Sequence, residues 1–263
     1  MKINKAIFAV DDNINYQGFW EINSEICKKN LNITPVLFKI TDEETDFYED
    51  KFGLVKHVKK IPNIKTSFQA QIYRIYGTKY FMDEVCFIHD IDLFFIDKFY
   101  LENKIKTFDE KDLVILFSDG YDSDRPECTG IYSGNEFRYP LHGIIGKGEL
   151  ISKIIKNEIN FDEFMNLALS LGYHQFDTDE IYFASCLKKH DDIKIHKLKR
   201  GFSSKFYCPN RIEKHHFKQT ANTFDLDLNG YINLESFIDC HCPGPFDDYK
   251  EIIYKIKNKI ISE

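Results

Sequence analysis

No stretch of this sequence approaches the roughly 20 consecutive apolar residues that a bilayer span requires. The first apolar run, residues 6–10, stops at Asp11-Asp12 and is far too short for a leader peptide. No transmembrane segment is therefore expected. Positive charge is also in deficit: 35 Lys and Arg stand against 42 Asp and Glu, scattered among one another, for a formal net charge of -7. That balance argues against a nucleic-acid surface. The seven cysteines are an odd number whose spacings match no paired zinc ligands, Cys240 and Cys242 being the only close pair. Reduced thiols in a cytoplasmic protein are the expectation, with any work at a membrane depending on a partner that holds the chain there. There is no internal repeat and no low-complexity linker. At 263 residues the chain can bury a substantial core, and one α/β domain with elaborations fits better than two small ones.

What is present centres on residues 85–96, Val-Cys-Phe-Ile-His-Asp-Ile-Asp-Leu-Phe-Phe-Ile. Asp90 and Asp92 lie between two apolar runs. Carboxylates beside a core cost several kcal/mol per uncompensated ion, and the remedies are protonation, an Arg or Lys partner, or a divalent cation. No basic residue lies within the stretch. Alternation along an extended chain predicts both side chains on one side, at the carboxyl end of a strand, where open α/β sheets collect ligands. A hard cation, Mn²⁺ or Mg²⁺, suits such a pair. The plainer alternative is a strand end entering a turn, although Leu93-Phe94-Phe95-Ile96 is not the polar sequel a turn should have.

Strands are expected at residues 6–10, 36–40, 54–61, 113–117 and 193–198, and helices at 19–27, 66–80, 150–155 and 161–171. Alternating strands and helices predict a parallel sheet. The 66–80 helix carries Gln71 and Arg74 just ahead of the acidic strand. A polar loop at 118–138, full of turn signals, is long enough to serve function, and His142 and Gly143 follow it in a short apolar element. Asp179-Glu180 opens another helix, and Asp177 with Glu180 has capping-box spacing, so capping competes there with a catalytic role. Asp225 to Gly230 begins like a calcium-binding EF-hand loop, but Ser236 stands where the bidentate Glu belongs, and a turn is the better reading. His241 lies in a turn-rich stretch where it can approach a metal, and the chain closes on an amphipathic helix with the apolar face Tyr249, Ile252, Ile253, Ile256 and Ile260.

In this order the pieces resemble a GT-A nucleotide-sugar glycosyltransferase. The carriers are the first strand ending in Asp11-Asp12-Asn13, Gln71 and Arg74 before Asp90-Ile91-Asp92, Leu141-His142-Gly143, Asp179-Glu180, and His241 followed by Pro243-Gly244-Pro245-Phe246. The nearest likenesses are retaining galactosyl- and glucosyltransferases of the glycogenin, lipopolysaccharide-galactosyltransferase and blood-group types. Phe246 stands where the first of these has Trp, and a Lys of that motif is missing. The resemblance implies a Rossmann-like, mostly parallel sheet flanked by helices in a single domain, residues 1–97 forming a nucleotide-binding half and 98–263 an acceptor-binding half. It implies donor contacts from Val10, Asp11, Asn13, Tyr16, Gln71, Arg74, Asp90, His142, Gly143 and Gly244, and Mn²⁺ or Mg²⁺ on Asp90, Asp92 and His241. Asp179 and Glu180 become the catalytic carboxylates of a hexose transfer expected to retain configuration, from a nucleotide sugar, UDP favoured, to a hydroxyl of a glycan, glycolipid or other acceptor. The rivals are a haloacid-dehalogenase-like phosphatase, whose acidic pair belongs on the first strand, and a silent relative that only binds sugar nucleotides.

Overall fold

The computed structural model describes residues 1–118, 138–170, 178–199, 210–214, 217, 226–227, 231–232, 234 and 237–262. The interior of the 118–138 loop, Asp177, and the Asp225, Asn229, Gly230 and Ser236 positions of the EF-like stretch lie outside the described residues. In chain order the elements are β1 (Lys5–Val10), α1 (Ile14–Gln17), α2 (Phe19–Lys29), β2 (Thr34–Thr41), β3 (Tyr48–Glu49), β4 (Leu54–Lys59), α3 (Thr66–Tyr76) and β5 (Val85–Ile88). Then come β6 (Leu93–Phe95), α4 (Lys98–Ile105), β7 (Leu113–Leu116), β8 (Ile144–Lys147), α5 (Gly148–Ile155), α6 (Phe161–Leu169) and α7 (Thr178–Leu187). The rest are β9 (Ile195–Leu198), β10 (Arg211–Ile212), β11 (Leu226–Asp227), β12 (Tyr231–Ile232), β13 (Asp239–His241) and α8 (Phe246–Ser262).

Eight strands form the main sheet in the order β3-β4-β2-β1-β5-β8-β7-β9. Four of its seven pairings are parallel. The sheet is covered on both faces, which is why its strands read as nearly continuous apolar runs. Phe8 and Phe87 look toward α2 and α8, in a core with Phe19, Phe246 and Ile253. Ile7 and Ile88, one residue along, enter a second core with Ile72, Phe164 and Phe183. The apolar face expected on the last helix is used as such, Ile252, Ile253, Ile256 and Ile260 being buried against the first core.

Three departures from expectation shape the molecule. The helix at 66–80 is α-helical only to Tyr76 and tightens to a 3₁₀ turn over Gly77–Phe81. A side chain at Gly77 would lie 2.4 Å from the ring of Phe38, so glycine lets the helix end close on the sheet. Second, β8 runs antiparallel to both β5 and β7. Third, the stretch around His241, expected to be turn-rich, contains β13, which pairs with β6 and β10 in a separate three-stranded sheet. Among the described residues no helix is long and apolar enough to cross a membrane.

Candidate active site

Topology gathers the site. β1 and β5 are parallel neighbours, so Val10-Asp11 and Asp90 emerge at the same edge of the sheet. Because β8 is antiparallel to β5, its beginning lies at that edge too, delivering His142 and Gly143 from the 3₁₀ turn Leu141–Gly143. The small sheet then lays His241 against Leu93, beside the acidic turn.

That turn is pinned from both sides. Asn23 of α2, itself buried, donates to the Ile91 carbonyl at 2.6 Å, and the Cys242 N–H donates to the Asp92 carbonyl at 2.7 Å. Extended alternation does not run through the pair: β5 ends at Ile88 and residues 91–92 form a turn, closed by a 3.4 Å contact from Leu93 N–H to the Asp90 carbonyl. The two carboxylates accordingly meet different partners. The cations missing from the local sequence are brought in by the fold.

Asp90 is paired with Arg74 of α3 and lies 3.7 Å from Nδ1 of His142. The same guanidinium donates to Asp179 Oδ2 from Nη2 at 2.6 Å and from Nε at 3.2 Å, so Arg74 bridges the acidic turn to the start of α7. Asp179 is 0% exposed, and its other oxygen accepts from the Glu180 N–H at 2.9 Å. Glu180 is also buried. Gln71, one turn before Arg74 on α3, is half-buried. Gln69, two residues before it, is fully buried and ties the loop before α3 through Ile61 and Ile64.

Asp92 has a different circle. Its Oδ2 meets Lys214 Nζ at 2.7 Å and His241 Nε2 at 3.6 Å. The other nitrogen of His241 faces Glu213 at 3.5 Å, and Glu213 in turn faces Arg211, whose fork is bidentate on buried Asp239 at 2.9 and 2.8 Å. Burial disfavours the Asp92 carboxylate, yet hydrogen bonds and charge from His241 and Lys214 outweigh it and hold its pKa well below the usual range. Burial likewise opposes a charged His241, but Asp92 and Glu213 outweigh it and raise its pKa. Nearby His89 is of the opposite kind. Burial pushes it down to about 4, so it stays neutral and donates Nδ1–H to the His142 carbonyl at 3.0 Å.

On the other flank, Asp11 is buried and accepts from Thr66 Oγ1 at 3.0 Å and from the Asn13 N–H at 3.2 Å. Asn13 caps α1 by accepting from Asn15 N–H. Tyr16 on α1 lies beside Gly244, where a side chain would meet its ring carbon at 3.6 Å. The two ends of the chain thus close on each other here. Gly143 has a packing reason of its own, since a Cβ there would be 2.9 Å from the Leu116 carbonyl oxygen and Cβ.

No protein-family profile and no curated protein matches the sequence. Among solved structures, the galactosyltransferase LgtC in complex with donor and acceptor sugar analogs aligns over 95% of both chains, with a TM-score of 0.50 at 12% identity. An active-site mutant of LgtC aligns over 94% of both, again with a TM-score of 0.50 at 12% identity. The fold is GT-A.

Within this GT-A fold the donor chemistry around Asp92 suits a divalent cation. A carboxylate and an imidazole share one spot, and the imidazole's far nitrogen is backed by the Glu213 carboxylate, an arrangement that orients metal-binding histidines. The fit is to that two-donor core: Asp90 is engaged by Arg74, and among the described residues no three His, Cys, Asp or Glu side chains are gathered closely enough to hold an ion together. Sequence reading missed Glu213, Lys214, Arg211 and Asp239. Only the pairing of β10 alongside β13 places them, and two-residue strands carry no periodic signal.

Proposed function

We propose that this chain is a glycosyltransferase that moves a hexose from a nucleotide sugar, a UDP-sugar being favoured, to a hydroxyl of a glycan or glycolipid. The observation that carries the reading is the convergence, at one edge of a GT-A sheet, of the Asp90–Asp92 turn, the Asp92–His241–Glu213 cluster and the Arg74–Asp179 bridge. Val10, Asp11, Asn13, Tyr16 and Gly244, gathered around the end of β1, take the base and ribose. Asp92 and His241 would hold Mn²⁺ or Mg²⁺, with Asp90 kept beside them on Arg74, and the ion would neutralise the charge growing on the departing diphosphate.

Arg74 then orients Asp90 and the donor sugar, and buried Asp179 acts by fixing that guanidinium. Glu180 steadies an oxocarbenium-like centre in the favoured retaining course, or takes the acceptor proton in an inverting one. His142 and Gly143 border the sugar. The phosphatase alternative is disfavoured by the position of the acidic pair, at the end of the fifth strand instead of the first.

A thermal-shift panel of nucleotide sugars with and without Mn²⁺ tests the reading. A ligand at about 100 times its Kd adds about 2.7 kcal/mol. One nucleotide sugar should raise the Tm by several degrees only with Mn²⁺, and that donor should then release free nucleoside diphosphate in the presence of acceptor. A flat panel, or steady p-nitrophenyl phosphate turnover that Asp90→Asn abolishes, overturns it. Binding without release marks the silent relative.

A further inference from the structure

Two cations serve the acidic turn, and they are held in contrasting ways. Arg74 is a planar fork on two carboxylates, Asp90 and Asp179, with its side chain only 11% exposed. Lys214 is a single ammonium on a flexible stem, 38% exposed, and among the described residues Asp92 is its only partner. A point charge held by one contact exchanges easily, while a fork satisfied on two sides does not. The oxygen that Lys214 holds, Asp92 Oδ2, is also the one His241 faces. The ammonium therefore occupies the carboxylate oxygen that a divalent cation on Asp92 and His241 would need.

We infer that Lys214 is an exchangeable counterion of the site. It neutralises Asp92 while no divalent cation is bound, and it passes to the donor's diphosphate once that carboxylate is taken. Electrostatics favours such a group: Asp92 is nearly buried with Glu213 close by, and between ligands the ammonium joins His241 in compensating its charge. Lys214 is suited to the second half because its half-exposed stem lets Nζ relocate without moving the backbone, and an ammonium makes a good phosphate partner as a point charge. The first half needs only the geometry around Asp92; the second rests on the nucleotide-sugar reading above.

The experiment uses the full chain and two variants, Lys214→Met and Lys214→Gln, each checked for an intact fold by circular dichroism. In the first arm Mn²⁺ alone is titrated by calorimetry. Removal of the competing ammonium should tighten Mn²⁺ binding about tenfold in both variants, the scale of one charged hydrogen bond. In the second arm UDP is titrated at saturating Mn²⁺, and both variants should bind it about tenfold more weakly. Unchanged or weaker Mn²⁺ binding in both variants overturns the counterion. Unchanged UDP affinity overturns the transfer to diphosphate. If neither the parent nor the variants bind UDP, the nucleotide-sugar reading fails and the transfer with it, while tighter Mn²⁺ binding in the variants still upholds the counterion.

Discussion

Arg74→Met should unsettle this protein more than any other single change at the site. The guanidinium is nearly buried and supplies Asp179, 0% exposed, with contacts at 2.6 and 3.2 Å, and without it that carboxylate keeps, among the described residues, only the Glu180 N–H. Removing one partner of a buried pair costs about 3–5 kcal/mol. At about 2–4 °C per kcal/mol for a chain of this size, the Tm should fall by roughly 6–20 °C. Adding Asp179→Asn removes the stranded charge, and the double variant should regain at least about 2 kcal/mol of the loss. Urea unfolding followed by fluorescence of Trp20, the single tryptophan, reads all four corners of the cycle. An Arg74→Met variant within about 1 kcal/mol of the parent, or an Asp179→Asn change that adds its own loss to that of Arg74→Met, would refute this role for the guanidinium. Stability regained without donor binding would show that Arg74 serves the ligand as well as the fold.

Three further outcomes are expected. Asp92→Ala should abolish Mn²⁺-dependent binding of a UDP-sugar, and calorimetry showing the parent's affinity in the variant would reject the role given to that carboxylate. Gly143→Ala should cost about 1–3 kcal/mol of overpacking against Leu116, seen as a lower Tm with the secondary structure retained. Glu25 binds α8 to α2 through Lys257 at 2.6 Å, and although burial raises its pKa, its hydrogen bonds and charge contacts with Lys257 and Lys29 prevail and lower it from 4.5. A lowered carboxylate pKa contributes stability that is present above the unfolded value and is lost as pH falls through the folded one. Acid below about pH 4.5 should therefore weaken the packing of α8, and Glu25→Gln should flatten that part of the stability profile, as urea midpoints across pH would show.

Much of the architecture is legible in residue order because burial on a sheet or helix face leaves a periodic trace. The β1, β2, β5 and β7 strands are short apolar runs, since helices cover both faces of the sheet. The last helix displays its buried stripe at Ile252, Ile253, Ile256 and Ile260. The acidic turn announces itself by chemistry, two carboxylates between runs that stay buried on either side. These are local properties, and local spacing suffices to reveal them.

Which groups answer those carboxylates was decided by tertiary structure alone. Arg74 reaches Asp179 across 105 residues, and Lys214 reaches Asp92 across 122. The reversal of β8 and the pairing of β13 with β6 place His142 and His241 at the site, and neither follows from the period of the residues in those strands. A pattern of burial says that a face is covered without saying by what. The charge balance of this site depends on what covers it, so it came into being only when distant segments closed on one edge of the sheet.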